Sequence, residues 1–151
     1  MRLAASFSES LRRDDEIVAF HTRTSRDKLF ALLIDDDAAD AAVVTRLAAR
    51  SKQLDVDIEV CLSLDEGRRL SRERRFDLVF VEYWLGVQTS IEFIAEFTRR
   101  YSAPCILMTG LDEPDIRRIA FRAGVRAFLS KEHLSTQAIE AVSLAVLNGR
   151  V

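Results

Sequence analysis

The chain has little of what marks several classes of protein. Its 151 residues include only 2 cysteines, 2 prolines and 5 glycines. No apolar run approaches the roughly 18 residues of a membrane-spanning helix, and residues 1–6 lack the apolar stretch of a signal peptide. No Pro- or Gly-rich linker divides the sequence. These absences predict one compact cytoplasmic domain with no membrane segment.

The cysteines and the net charge argue against several kinds of binding site. Cys61 and Cys105 lie inside apolar runs, where a free cysteine more often acts as a small core residue than as a metal ligand or a disulfide partner. The formal net charge of -2 argues against bulk binding to nucleic acid or to an anionic membrane. The arginines of residues 68–75 are interspersed with glutamates and lack an aromatic platform for stacking bases, which favours a solvated helix face.

Short apolar runs alternate with amphipathic stretches from residue 29 onward. The runs predict strands near residues 29–34, 56–61, 76–81, 104–108 and 125–129. They are continuous rather than alternating, as expected for parallel strands with helices on both sheet faces. Five such βα units predict an α/β fold, a doubly wound five-stranded parallel sheet of the flavodoxin-like type.

Capping residues mark the expected helix boundaries. N-caps are predicted at Asp37, Ser63 and Thr89, the last two in capping boxes with a glutamate three residues later. Pro114 is tolerated in the first turn of the fourth helix. Gly124 predicts a left-handed stop at the end of that helix.

Residues 1–28 do not follow the alternation and are predicted to be an N-terminal extension to the domain of residues 29–151. Apolar residues within the extension fit a helix face in one half and a short strand in the other. A frayed tail, an added helix and a docking arm all remain open. Only two residues follow the last predicted helix, so no output domain is expected after it.

Four polar signals fall at the ends of apolar runs. Residues 35–37 are three aspartates after the first strand, Glu82 ends the third, and Thr109 and Lys131 follow the fourth and fifth. Because the carboxyl ends of parallel strands meet at one sheet edge, these side chains are expected to lie together. Carboxylates, a lysine and a hydroxyl suit a divalent cation such as Mg²⁺ together with a phosphoryl oxygen.

This ordered set resembles the receiver domain of two-component response regulators, over roughly residues 29–148. The resemblance implies a bacterial signalling protein rather than an enzyme. It also implies a protein partner, such as a histidine kinase, a phosphotransfer protein or another regulator, and self-association into a homodimer is a further option. In that family an aspartate accepts the phosphoryl group, whereas here Glu82 stands at the matching position.

The resemblance assigns further roles residue by residue. The positions that match the family's metal ligands are Asp35, Asp36, Glu82 and the backbone carbonyl of Trp84. The positions that match its switch are the hydroxyl of Thr109, the aromatic Phe128, which turns inward or outward with activation, and Lys131.

The glutamate at position 82 changes what the site is expected to do. Its carboxylate lies one methylene further out, about 1.5 Å beyond that of an aspartate, and misplacement on that scale can cost a phosphoryl transfer about a hundredfold. The longer side chain is instead expected to reach Lys131 and Thr109 without phosphorylation. We therefore expect a stand-alone pseudo-receiver that signals by phosphorylation-independent protein–protein interaction. Two arrangements stay open, Mg²⁺ held at the metal positions or Glu82 paired with Lys131 and no metal.

Two other functions remain as alternatives. One is a conventional single-domain response regulator that still cycles phosphate through Glu82. The other is a phosphatase of the haloacid-dehalogenase type, because Asp35-x-Asp37, Thr109 and Lys131 also resemble parts of that site. A further acidic motif would have to follow the lysine, and no acid is convincingly placed for it.

A surface on the last two helices is the predicted interface. On the helix near residues 112–123, Ile116 and Ile119 are expected to face the core. The residues expected to face a partner are Phe121, Arg117 and Arg118 on that helix and Leu144 on the last helix. Phe128 lies on the strand between the two helices and would connect this surface to Lys131.

Overall fold

The computed structural model describes residues 27–110 and 113–149. The predicted extension, residues 1–28, lies outside this part except for its last two residues. The second of these, Lys28, already belongs to the first strand.

Strands and helices alternate along the described chain, as the apolar runs predict. In chain order the elements are β1 Lys28–Ile34, α1 Ala38–Ala49, β2 Asp55–Cys61, α2 Leu64–Glu73, β3 Leu78–Glu82, β4 Trp84–Leu85, β5 Gln88–Thr89, α3 Ile91–Arg100, β6 Cys105–Thr109, α4 Pro114–Ala123, β7 Ala127–Ser130, a 3-10 turn Lys131–His133 and α5 Thr136–Leu147. All five predicted strands are present, with ends shifted by at most two residues. The short β4 and β5 were not predicted.

The sheet is doubly wound, which confirms the predicted fold. Its strand order is β2-β1-β3-β6-β7, and every pair of neighbours is parallel. Strands β3 and β6 are buried along their whole length, as expected for strands covered on both faces. One apolar cluster joins the sheet to α2, α3 and α4, and a second joins the other face to α1 and α5. The order reverses between β1 and β3, so a crevice is expected at their carboxyl ends.

Two of the predicted N-caps are confirmed and one is wrong. The side chains of Asp37 and Ser63 accept hydrogen bonds from the first-turn amides of α1 and α2. Thr89 does not cap α3, because it is extended in β5 and pairs with Trp84 across a two-stranded ribbon. Ser90 is the N-cap instead, and its side chain makes no capping hydrogen bond.

The predicted burial of the cysteines and the predicted helix stop at Gly124 are confirmed, whereas the predicted burial of Ile119 is wrong. Cys61 and Cys105 are free and buried, and burial raises the pKa of each thiol to about 12. Gly124 ends α4 with φ 114°, and an added Cβ there would meet Thr98 Oγ1 at 2.5 Å. Ile119 was expected to face the core but is 42% exposed, because α4 presents only one narrow face to the sheet. No helix in the described ranges is long and apolar enough to cross a membrane.

Candidate functional site

The carboxyl ends of four strands bring the predicted polar residues to one edge of the sheet. Asp35 directly follows β1, Glu82 is the last residue of β3, Thr109 is the last residue of β6, and Lys131 directly follows β7. Three of them are deeply buried, with exposed fractions of 0% for Asp35, 9% for Glu82 and 6% for Thr109. Buried polar side chains need partners, so their contacts define the site.

Lys131 is the centre of a cluster of three carboxylates. Its ammonium Nζ lies 2.7 Å from Asp35 Oδ2, 2.9 Å from Asp40 Oδ2 and 2.9 Å from Glu82 Oε2. The lysine side chain is 15% exposed, against 0% for Asp35, 11% for Glu82 and 46% for Asp40. We call Lys131 with these three acids the lysine cluster. It confirms that Glu82 reaches Lys131.

The contact between Glu82 and Lys131 differs from the other two. Asp35 and Asp40 accept aligned hydrogen bonds from Nζ, whereas Glu82 Oε2 is buried and accepts no hydrogen bond of good geometry. The pair is therefore an ion pair rather than an aligned hydrogen bond. Burial raises the pKa of Glu82 above its ordinary value, although the ammonium of Lys131 opposes this. For Glu82, the cost of burial outweighs the attraction of the lysine.

For Lys131, the neighbouring groups outweigh the effect of burial on the pKa. Burial by itself would lower the pKa of Lys131, but the hydrogen bonds to Asp35 and Asp40 and the negative charge of Glu82 outweigh burial and raise the pKa above its ordinary value. The ammonium therefore keeps its charge at neutral pH. Three carboxylates around one ammonium leave the cluster with excess negative charge.

Asp40 was not predicted as part of the site. It lies in the first turn of α1 and was hidden behind the helix-capping interpretation of the preceding aspartates. The signal that could have found it is its place in the first turn of the helix that Asp37 caps, directly after the carboxyl end of β1.

Asp36 holds the ribbon that follows β3. Its Oδ2 accepts a hydrogen bond of 2.8 Å from the backbone N–H of Gly86, which has φ 63° in the turn between β4 and β5. Trp84 and Val87 lie on this ribbon and are 45% and 99% exposed. The ribbon is thus tied to the loop after β1.

The positions assigned to a metal are engaged with the protein itself. Asp35 Oδ1 accepts from the N–H of Asp37 at 3.0 Å, its Oδ2 contacts Lys131, and Asp36 bonds Gly86. Across residues 27–110 and 113–149, no three acidic, histidine or cysteine side chains are arranged to hold a metal ion. In this arrangement, bonds within the protein already occupy Asp35 Oδ1, Asp35 Oδ2 and Asp36 Oδ2, three of the oxygens assigned to Mg²⁺.

The geometry gives little support to a phosphatase of the haloacid-dehalogenase type. Asp37 Oδ1 accepts the amides of Ala39 and Asp40 at 2.9 and 3.1 Å. Its carboxylate is thereby committed to the N-terminus of α1 rather than to the lysine cluster.

Phe128 connects the site to the surface of α4. It is partly buried on β7, three residues before Lys131. The ring of Phe121 packs edge-on against it with centroids 4.9 Å apart, and the guanidinium of Arg117 lies 5.3 Å from the Phe128 centroid. Phe121 is still 53% exposed. These contacts link two residues of the predicted interface to the strand that carries the lysine.

The other two predicted interface residues, Arg118 and Leu144, make no contact with Phe128. Arg118 NH2 lies 2.8 Å from Asp115 Oδ1 on its own helix. Leu144 is only partly exposed, and it lies one helical turn after Glu140, whose Oε1 accepts from Ser51 at 2.6 Å. Leu144 therefore lies towards α1, away from Phe121, because residues four apart share a helix face.

Known proteins share this fold. A two-component response regulator of the LuxR family from an Aurantimonas species is 24% identical, with a TM-score of 0.71, and the match covers 82% of this chain and 88% of that one. A CheY-like receiver domain protein from Methanospirillum hungatei is 16% identical with a TM-score of 0.71, covering 82% and 97%. A response regulator from Clostridium difficile is 17% identical with a TM-score of 0.69, covering 81% and 97%. Among curated protein sequences, none matches the chain significantly.

A family model decides the identity. The model of the response regulator receiver domain matches residues 31–143, which includes the three acids of the lysine cluster, Lys131 itself and most of the sheet. Proteins of this family act in two-component signalling and interact with kinases and other proteins. The chain belongs to the response regulator receiver domain family of two-component signal transduction.

Proposed function

We propose that this receiver acts by phosphorylation-independent protein–protein interaction, with Glu82 in place of the phosphoacceptor. The observation that carries the proposal is the 2.9 Å contact between Glu82 Oε2 and Lys131 Nζ. A carboxylate already occupies the position beside the lysine where a phosphoryl oxygen would otherwise be stabilised. The site therefore has its contact to Lys131 without any transferred group.

Electrostatics adds a second argument. Lys131 is shared among Asp35, Asp40 and Glu82, so the cluster has more negative than positive charge. A phosphoryl group would add further negative charge at a buried place where repulsion is weakly screened.

The proposed route to the partner runs from Lys131 to the surface of α4. Lys131 follows β7 directly, and Phe128 on that strand contacts both Phe121 and Arg117. A fixed contact at Lys131 thus supports a fixed arrangement of the Phe121 surface. We propose that a protein partner, or a second copy of the chain, binds there.

A conventional phosphate-cycling regulator is the second candidate. It is favoured by Thr109 and Lys131, which lie at the strand ends as the family pattern requires. Glu82 would then have to serve as the acceptor despite its longer side chain.

Incubation with acetyl phosphate and Mg²⁺, followed by intact-mass measurement, distinguishes the phosphorylation-independent receiver from the phosphate-cycling regulator. The proposal requires the mass of the wild-type chain to stay unchanged. A gain of one phosphoryl group that disappears in Glu82→Gln would establish the second candidate instead.

A further inference from the structure

Asp40 is the member of the lysine cluster to which the resemblance assigns no role. It lies in the first turn of α1, 91 positions before the lysine that it contacts. Its Oδ2 accepts an aligned hydrogen bond of 2.9 Å from Lys131 Nζ. The local surroundings of Asp40 explain why its carboxylate bonds so distant a residue.

The helix that carries Asp40 offers its carboxylate no cation at helical spacing. In α2 and α4, the first-turn acids Asp65 and Asp115 each pair with an arginine three residues later on the same helix, a spacing at which opposite charges attract. The residues three and four places after Asp40 are both valines. The carboxylate of Asp40 therefore pairs across the fold, with Lys131.

The directions of the N–H groups of Lys131 explain its unequal contacts. An ammonium has three N–H donors, and Asp35 Oδ2 and Asp40 Oδ2 take two of them in aligned hydrogen bonds. Glu82 Oε2 lies as close to Nζ as Asp40 Oδ2 does, at 2.9 Å, but accepts no aligned bond. The two aspartates thus orient the ammonium, and Glu82 meets its charge without a well-directed N–H.

We propose that Asp40 is a positioning residue, which directs the ammonium of Lys131 towards α1 and away from position 82. The site thereby has two barriers to a phosphoryl group, the long side chain of Glu82 and the engagement of Lys131 by Asp40. This inference rests on the proposed function and specifies how the same lysine is kept from a phosphoryl oxygen. Shortening Glu82 to aspartate removes only the first barrier.

Asp40 also has a simpler role that needs no partner. A negative charge in the first turn of a helix interacts favourably with the helix dipole, and that effect does not depend on Lys131. The positioning role is supported by the aligned bond between the two side chains and by the burial of the lysine, which is 15% exposed. A largely buried ammonium is oriented by the few acceptors within its reach.

Phosphorylation of variants that carry Glu82→Asp tests the proposal. The shorter carboxylate can take the phosphoryl group of acetyl phosphate, with acetate as the leaving group and Mg²⁺ in the buffer. Intact-mass measurement gives the fraction of the chain that is phosphorylated. Asp40→Asn in this background should raise that fraction several-fold at low acetyl phosphate, because Lys131 can then donate to a phosphoryl oxygen.

The dependence on Lys131 separates positioning from a simple change of charge. In Glu82→Asp/Lys131→Met, the further change Asp40→Asn should have no effect, whereas a purely electrostatic or structural role of Asp40 would act there too. The matched control is Glu132→Gln in the Glu82→Asp background. Glu132 is exposed, directly follows Lys131 and lies outside the lysine cluster, so its loss should leave the phosphorylated fraction unchanged.

Circular dichroism checks that every variant is folded. Equal phosphorylation of Glu82→Asp with and without Asp40→Asn, including none in either, would overturn the proposal. An equal increase in the Lys131→Met background or in the Glu132→Gln control would do the same. Phosphorylation of the wild type would contradict the proposed function instead, because the comparison for Asp40 is made only among variants with Glu82→Asp.

Discussion

At Lys131, three carboxylates share one ammonium, and they are not equivalent. Asp35 and Asp40 accept aligned hydrogen bonds, whereas Glu82 is an ion-pair partner without one. A buried carboxylate without a well-aligned donor is costly, and burial accordingly raises the pKa of Glu82. We therefore expect the loss of Lys131 to destabilise the fold more than the loss of Glu82.

Replacing the lysine should destabilise the fold. Lys131→Ala leaves Asp35 and Glu82, which are 0% and 11% exposed, without their counter-charge. Removal of one partner from a buried pair costs about 3 kcal/mol or more, which corresponds to a melting temperature lower by about 10 °C. Thermal unfolding at low salt measures it. The exposed Lys52, replaced by alanine, is the control, and equal melting temperatures for the two variants would refute the cluster's role.

Replacing Glu82 should have an effect that depends on pH. A carboxyl group whose pKa is raised by folding binds its proton more tightly in the folded state, so its contribution to the free energy of unfolding falls as pH rises from its ordinary value of 4.5. Glu82→Gln cannot ionise. The stability of the wild type relative to this variant should therefore decrease between pH 4.5 and pH 7, as measured by urea unfolding.

The exposed Glu92 provides the control for this pH dependence, because Glu92→Gln removes a carboxylate that lies in solvent. The difference in free energy of unfolding between Glu92→Gln and the wild type should change much less between pH 4.5 and pH 7. If the wild type instead gained stability relative to Glu82→Gln as pH rose, the ion pair with Lys131 would outweigh burial.

Among the elements, the β4–β5 ribbon is the part that local sequence signals missed. A Thr-x-x-Glu pattern predicts a capping box at Thr89, but the residue pairs with Trp84 in the ribbon, and Asp36 fixes the ribbon turn through Gly86. A bond between positions 50 residues apart cannot be found from local capping rules. Asp37 and Ser63 were predicted correctly because their caps depend only on the next three residues.

The surface of α4 gives an element-scale prediction. Phe121 is exposed and packs on Phe128, whereas Leu144 lies towards α1. Phe121→Ala should therefore weaken self-association or binding of a protein partner, while Leu144→Ala should leave both nearly unchanged. Sedimentation velocity measures the self-association, with circular dichroism as the check on folding. If Leu144→Ala weakened association and Phe121→Ala did not, the interface would lie on the α1 side.

Across the whole molecule, the doubly wound topology is what assembles the site. Continuous apolar runs were enough to predict the five parallel strands, and the edge rule then grouped Glu82, Thr109 and Lys131 correctly. The pattern of apolar runs could not predict which carboxylate accepts from each donor. Such pairs join residues as many as 96 positions apart in the chain. The bond from Asp36 to the ribbon was thus not predicted, and Asp40 was missed.

With Glu82 beside Lys131, the lysine cluster should hold one state whether or not a phosphodonor is present. Two-dimensional ¹H–¹⁵N spectra of the wild type and of Glu82→Asp, each recorded before and after addition of acetyl phosphate and Mg²⁺, test it most directly. The amide signals of Thr109, Phe128 and Lys131 are expected to stay in place in the wild type, whereas those of Glu82→Asp, which has a shorter carboxylate, should shift. Phosphodonor-dependent shifts of those three signals in the wild type would show instead that the lysine cluster responds to phosphorylation.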